Sequence, residues 1–143
     1  AKVIADGVPM GAVVAKKEIA DVFKPGDHGS TFGGSCLAIA ACAATLSALV
    51  RGDYADHAAK VGAYMEAKLA KLPHVTEVRG RGLMLGCDLD DAAGDAHDVV
   101  ARALTAGAVT NATGAHTLRF LPPLVCEEAD VDSLIETLSD VLA

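Results

Sequence analysis

Residues 26–50, GDHGSTFGGSCLAIAACAATLSALV, decide what kind of fold this chain enters. The stretch begins as a loop, with Gly26, Gly29, Gly33 and Gly34 among ten residues and the hydroxyls of Ser30 and Thr31 between them. It then becomes an uncharged run of fifteen residues, Cys36 to Val50, whose composition predicts a helix apolar nearly all round. Such a helix is expected to be buried on most sides, against a sheet. The residues before it offer only one short buried strand, predicted over 8–15 after a Gly7/Pro9 turn, and a short helix over 16–23 stopped by Pro25-Gly26. The expected class is therefore α/β, with the first third reading as the edge of a larger layered domain. Rich in Ala, Ser and Thr, the run is too short and too weakly apolar to span a bilayer.

Downstream, Tyr54, Ala58, Val61, Met65 and Leu69 fall on one helical face over residues 53–72, and Lys60, Glu66, Lys68 and Lys71 fall elsewhere. Pro73 ends that helix. Residues 75–80 and 82–89 read as two strands joined at Gly80-Arg81-Gly82. A helix over 96–106, closed by Gly107, leads to a short strand near Val109 and another at residues 117–121, broken by Pro122-Pro123. The last helix starts near Glu127. It carries Val131, Leu134, Ile135, Leu138 and Val141 at helical spacing, and its acidic start complements the helix dipole. Two domains are expected, residues 1–72 as the end of a large domain and 73–143 as a small α+β domain. The whole reads as the tail of a bigger protein.

Composition narrows the function. Hydrophobic residues make up 52% of 143, but aromatics only 3% with no tryptophan, so the core must be Ala, Val, Leu and Ile. A net charge of −7 argues against a nucleic-acid or anionic-membrane surface. Any anionic ligand must be captured by a few local cations. Cys36, Cys42, Cys87 and Cys126 form no C-x-x-C pair, so no metal site is expected. They read as buried free thiols of a cytoplasmic protein.

Three places stand out chemically. Lys2, ahead of the Gly7/Pro9 turn, is either a solvated terminal charge or part of something begun upstream. Ser30 and Thr31 sit in a loop that either simply caps a helix or offers N–H groups and a hydroxyl to a phosphate. Arg119, between Leu118 and Phe120, alternates onto the opposite strand face, where its planar fork suits a ligand carboxylate or an interdomain ion pair. His28 reads as a loop-ordering residue. Arg79 and Arg81 read as hairpin cations, and Asp88, Asp90 and Asp91 as a solvated strand end.

In order and with matching gaps, AKVIADGVPMGA, GDHGSTFGGS, VRGRGLMLG and LRFLPPLV resemble the class-III aminotransferases, over essentially the whole chain and corresponding to about the last third of such an enzyme. The resemblance is nearest to their acetylornithine branch. It implies fold type I (aspartate aminotransferase-like), pyridoxal 5'-phosphate as cofactor, small amino-acid and 2-oxo-acid substrates including 2-oxoglutarate, and a homodimer with its site at the interface. By the same resemblance Lys2 is the catalytic lysine that holds the cofactor and moves the proton. Thr31, twenty-nine residues further on, binds the cofactor phosphate across the dimer interface, Ser30 contacts the acetylornithine substrate, and Arg119 anchors the α-carboxylate of glutamate or 2-oxoglutarate. A lysine in that role must sit in a pocket that lowers its pKa. The chain departs from the family in two places, with Ala5-Asp6-Gly7 where consecutive glycines are usual and Ser35-Cys36 after Gly33-Gly34. Ornithine, succinylornithine and 4-aminobutyrate aminotransferases share the chemistry. A non-catalytic module reusing the small domain is the alternative of another class.

Overall fold

Alternate burial organises the C-terminal part around one antiparallel sheet. In a computed structural model, which describes residues 4–143, the helices are α1 (Lys17–Ala20), α2 (Cys36–Arg51), α3 (Tyr54–Leu69), α4 (Ala96–Thr105) and α5 (Glu128–Leu142). The strands are β1 (Val75–Arg81), β2 (Met84–Leu89), β3 (Asn111–Ala112) and β4 (Thr117–Phe120), in the spatial order β1-β2-β4-β3. The chain divides into two compact units, Ala1–Asp53 and Tyr54–Ala143.

The second unit is built on side-chain alternation. Leu85, Cys87 and Leu89 of β2 and Leu118 and Phe120 of β4 point one way, and all are buried. They pack with Val61, Met65 and Leu69 of α3, Val99 and Ala103 of α4, and Val131 and Leu138 of α5 in one continuous core. Arg81 opposite Met84 makes β1 and β2 a hairpin with a two-residue loop, Gly82-Leu83, in which Gly82 has φ 55. Glycine at the first loop position with positive φ matches the sharp turn that the strand twist favours. The loop lies under α3: a Cβ on Gly62 would sit 2.1 Å from the Gly82 carbonyl oxygen. The helix therefore approaches the turn backbone to backbone.

Expectation and structure part in four places. The sequence reading places a domain boundary between residues 72 and 73, whereas the compact units meet at Asp53, because α3 buries its apolar stripe in the second unit's core. Residues 8–15 form no strand. Their backbone finds no partner strand among the described residues, and Val13 and Val14 are 95% and 96% exposed. Helix α2 forms as expected, from a Ser35 cap whose Oγ accepts the Ala38 N–H at 3.4 Å, but it buries only Ala38 and Cys42. Leu37, Ile39, Leu46 and Val50 stay exposed. Of the four cysteines, Cys42, Cys87 and Cys126 are buried free thiols as expected; Cys36, on the first turn of α2, is exposed. No single described helix is long and apolar enough to cross a membrane.

Candidate active site

Lys2 lies outside the described residues. The turn that follows is described from Ile4 onward: Val8 N–H donates to the Ala5 carbonyl at 3.1 Å, with Asp6 at φ 38 and Gly7 at φ 97. Both torsions belong to the left-handed region that glycine enters freely and that aspartate tolerates better than most side chains. Asp6 thus keeps the backbone course that a glycine at this position would take.

In the glycine-rich loop the ordering residue is Asp27 rather than His28. The Asp27 carboxylate accepts the Lys24 N–H at 2.7 Å, and its own N–H donates to the Lys24 carbonyl at 3.0 Å. His28 is exposed and makes no hydrogen bond among the described residues. Ser30 and Thr31 follow on a tight turn in which Gly33 N–H donates to the Ser30 carbonyl at 3.3 Å. Gly33 is sterically required there, since a Cβ would come within 2.9 Å of the Ser30 Cβ. Ser30 and Thr31 are exposed, and neither hydroxyl has a hydrogen-bond partner among the described residues. The structure therefore brings these two together as adjacent, uncommitted donors.

In the second unit Arg119 lies as alternation requires. Leu118 and Phe120 are 1% and 3% exposed on the helix-covered face, and Arg119 is exposed on the open one. Strand register sets a row across that open face: Arg119 faces Gly86 on β2 and Asn111 on β3, and Gly86 in turn faces Arg79 on β1. Arg79 is committed to an ion pair with Asp88. Asp88 also accepts the Thr117 hydroxyl at 2.6 Å, and these two partners hold its carboxyl below the usual carboxylate range. Arg119 makes no ion pair and no side-chain hydrogen bond among the described residues. It borders a cleft of about 400 Å³ together with Thr110, Asn111 and the apolar segment from Phe120 to Pro123. Nearby Cys87 is no nucleophile, since burial pushes its thiol up to about 12.

Sequence reasoning missed Asn111 and the Arg79–Asp88–Thr117 network. A two-residue strand shows no alternation, so only the register reveals that Asn111 stands opposite Arg119. Asp88 was grouped with Asp90 and Asp91 as a solvated end, yet Asp90 caps the 3-10 turn Asp91–Ala93 and hydrogen-bonds His74 at 3.1 Å.

The sequence model of the family described as Aminotransferase class-III matches residues 1–142. The chain is 42% identical over 147 aligned positions to the acetylornithine aminotransferase of Caldanaerobacter subterraneus subsp. tengcongensis, and 38% identical to that of Bacillus subtilis. Each alignment covers 100% of this chain and 37% of the relative, so the chain spans just over a third of the length of these curated relatives. Among solved structures it is similar to the ornithine aminotransferase of Toxoplasma gondii, with a TM-score of 0.77 and 35% identity over 87% of this chain and 30% of that one. It is also similar to the acetylornithine aminotransferase of Elizabethkingia anophelis, with a TM-score of 0.76 and 28% identity over 90% of this chain and 34% of that one.

Proposed function

The chain belongs to the class-III aminotransferases, of fold type I, and from that premise we propose that the enzyme it forms part of moves an amino group between N-acetylornithine and 2-oxoglutarate, a reaction of arginine biosynthesis. The observation that carries this reading is Arg119: a guanidinium with no ion pair among the described residues, on the open sheet face, between two core residues that fix its strand, at the edge of a cleft. 2-Oxoglutarate, and the glutamate formed from it, carry a carboxylate beside the reacting carbon, and a planar fork of donors holds that group in one orientation.

The residues present fit pyridoxal phosphate, because the Ser30–Thr31 turn offers to a phosphate ester the exposed Thr31 hydroxyl, which has no hydrogen-bond partner among the described residues. When bound, that cofactor supplies the electron-withdrawing ring that lets the hydrogen beside the amino group leave as a proton. Thr31 would donate its hydroxyl to the phosphate from across the dimer interface, and Ser30 would contact the acylated arm of the donor. Lys2, assigned by its place in the motif, would hold the cofactor and take up the proton that leaves the carbon beside the amino group. A homodimer completing the site at its interface, and a cytoplasmic location that keeps the thiols reduced, belong to the same reading.

Ornithine as donor is the second reading, favoured by the likeness to ornithine aminotransferases of known structure. Steady-state kinetics of the complete enzyme with N-acetylornithine, ornithine, N-succinylornithine and 4-aminobutyrate separate these donors, the highest kcat/KM being expected for N-acetylornithine. Arg119→Ala is expected to lower kcat/KM for 2-oxoglutarate at least tenfold, the loss of one or more hydrogen bonds to a charge worth about 1.5–3 kcal/mol each. An unchanged kcat/KM contradicts the role given to Arg119.

A further inference from the structure

We propose that Asn111 is a second anchor for the substrate carboxylate, gripping it beside Arg119. The inference rests on the reading that Arg119 receives that carboxylate, and extends it to a residue which neither motif nor composition points to.

Register carries the argument first. Asn111 and Arg119 are directly opposite in the antiparallel β3–β4 pair, so their side chains leave the sheet on the same face. Residues so placed have Cβ atoms about 4.5–5.5 Å apart, within the span of one bound carboxylate. The neighbouring pair, Ala112 opposite Leu118, lies on the core side. A slip of one residue would carry the Asn111 amide into the core and bring Ala112 out, so burial locks the register. Two hydrogen bonds pin the short strand further: Thr110 Oγ1 donates to the Arg119 carbonyl at 3.1 Å, and Thr113 N–H to the Thr117 carbonyl at 2.9 Å.

Elimination among the neighbours carries it next. On its β2 side Arg119 faces Gly86, which has no side chain to offer. Two residues back on its own strand, the Thr117 hydroxyl is given to Asp88; one strand beyond Gly86, the Arg79 guanidinium is given to the same carboxylate. Asn111 is exposed, lines the same cleft as Arg119, and has no hydrogen-bond partner for its amide among the described residues. It is the uncommitted polar side chain directly beside the guanidinium.

The chemistry suits an amide. A carboxylate has about four lone-pair positions, of which a bidentate arginine uses two. The Asn111 NH₂ donates to a third from the side, which fixes the tilt of the carboxylate plane and with it the direction of the reacting carbon. Being neutral, the amide does not compete with the ligand for Arg119, as an aspartate in that place would.

The test uses the complete enzyme loaded with its cofactor, and glutarate as a non-reacting carboxylate probe whose Kd is read from the change in cofactor absorbance. Asn111→Ala is expected to raise the glutarate Kd about tenfold, one hydrogen bond to a charged group. Asn111→Asp is expected to raise it further by pairing with Arg119, and Asn111→Ser, which keeps a donor, to recover part of the loss. The same variants should lower kcat/KM for glutamate and 2-oxoglutarate while leaving that for a simple primary-amine donor unchanged, a split that a purely structural role does not give. An unchanged Kd in Asn111→Ala beside a raised one in Arg119→Ala overturns this proposal and leaves the arginine reading standing. An unchanged Kd in both overturns the two together. If Asn111→Ala fails to fold, the comparison of Asn111→Asp with Asn111→Ser decides: equal Kd values for these two overturn the proposal.

Discussion

Gly62 faces the carbonyl of Gly82 so closely that a Cβ would stand 2.1 Å from the oxygen, and neither partner is a side chain that can swing aside. Gly62→Ala must therefore push α3 off the hairpin turn, and is expected to lower the unfolding free energy by about 1–3 kcal/mol, measured by urea denaturation. A substitution at Gly86 meets only ordinary contacts, 3.7 Å and longer, and serves as the control. Asp88 gives a different kind of expectation. Arg79 and the Thr117 hydroxyl hold its carboxyl below the ordinary value. The stability it contributes is complete above that ordinary value, near pH 4, and is lost as pH falls through the lower folded value. In Asp88→Asn the acid limb of Tm against pH is expected to be shallower below about pH 4. Tm at neutral pH should fall only slightly, because water and salt screen an exposed pair. An acid limb identical to that of the parent would show that the pair does not survive in solution.

Helix α5 closes the core of the second unit, and its start is fixed by reciprocal bonds: Glu127 accepts from the N–H of Asp130, and Asp130 accepts the Glu127 N–H at 2.9 Å. Asp130→Ala removes one of these and is expected to cost about 1 kcal/mol by thermal or urea unfolding; no loss would mean that water caps the helix equally well. The acidic start of this helix was legible in the sequence, as were the apolar stripe of α3 and the β2 and β4 alternation that turns Arg119 away from Leu118 and Phe120. The stripe and the alternation survive because each is a period long enough to repeat, and the acidic start because it marks a helix end locally. Strand β3 is two residues long and has no period, so Asn111 carried no signal until its register with Arg119 was seen. The strand expected over residues 8–15 failed for another reason. Its composition is that of a strand, but pairing is a property of two segments, and no second one lies beside it among the described residues.

Taken whole, the chain holds one unit with a continuous core and another whose described apolar residues are largely uncovered. That asymmetry was legible as an α2 with no sheet to lie on. The place where the units part was not, because the apolar stripe of α3 does not say which unit receives it. The candidate site was legible as separate pieces: hydroxyls on a glycine turn, an arginine on a strand, and a lysine before a turn. If these pieces serve one cofactor-dependent amino transfer, Lys2 is the residue bonded to the cofactor. The complete enzyme, loaded with pyridoxal phosphate, is reduced with borohydride, digested and mapped by mass spectrometry. A pyridoxyl phosphate label is expected on the peptide containing Lys2, absent in Lys2→Ala. A label on another lysine, or none in the parent enzyme, would contradict that assignment.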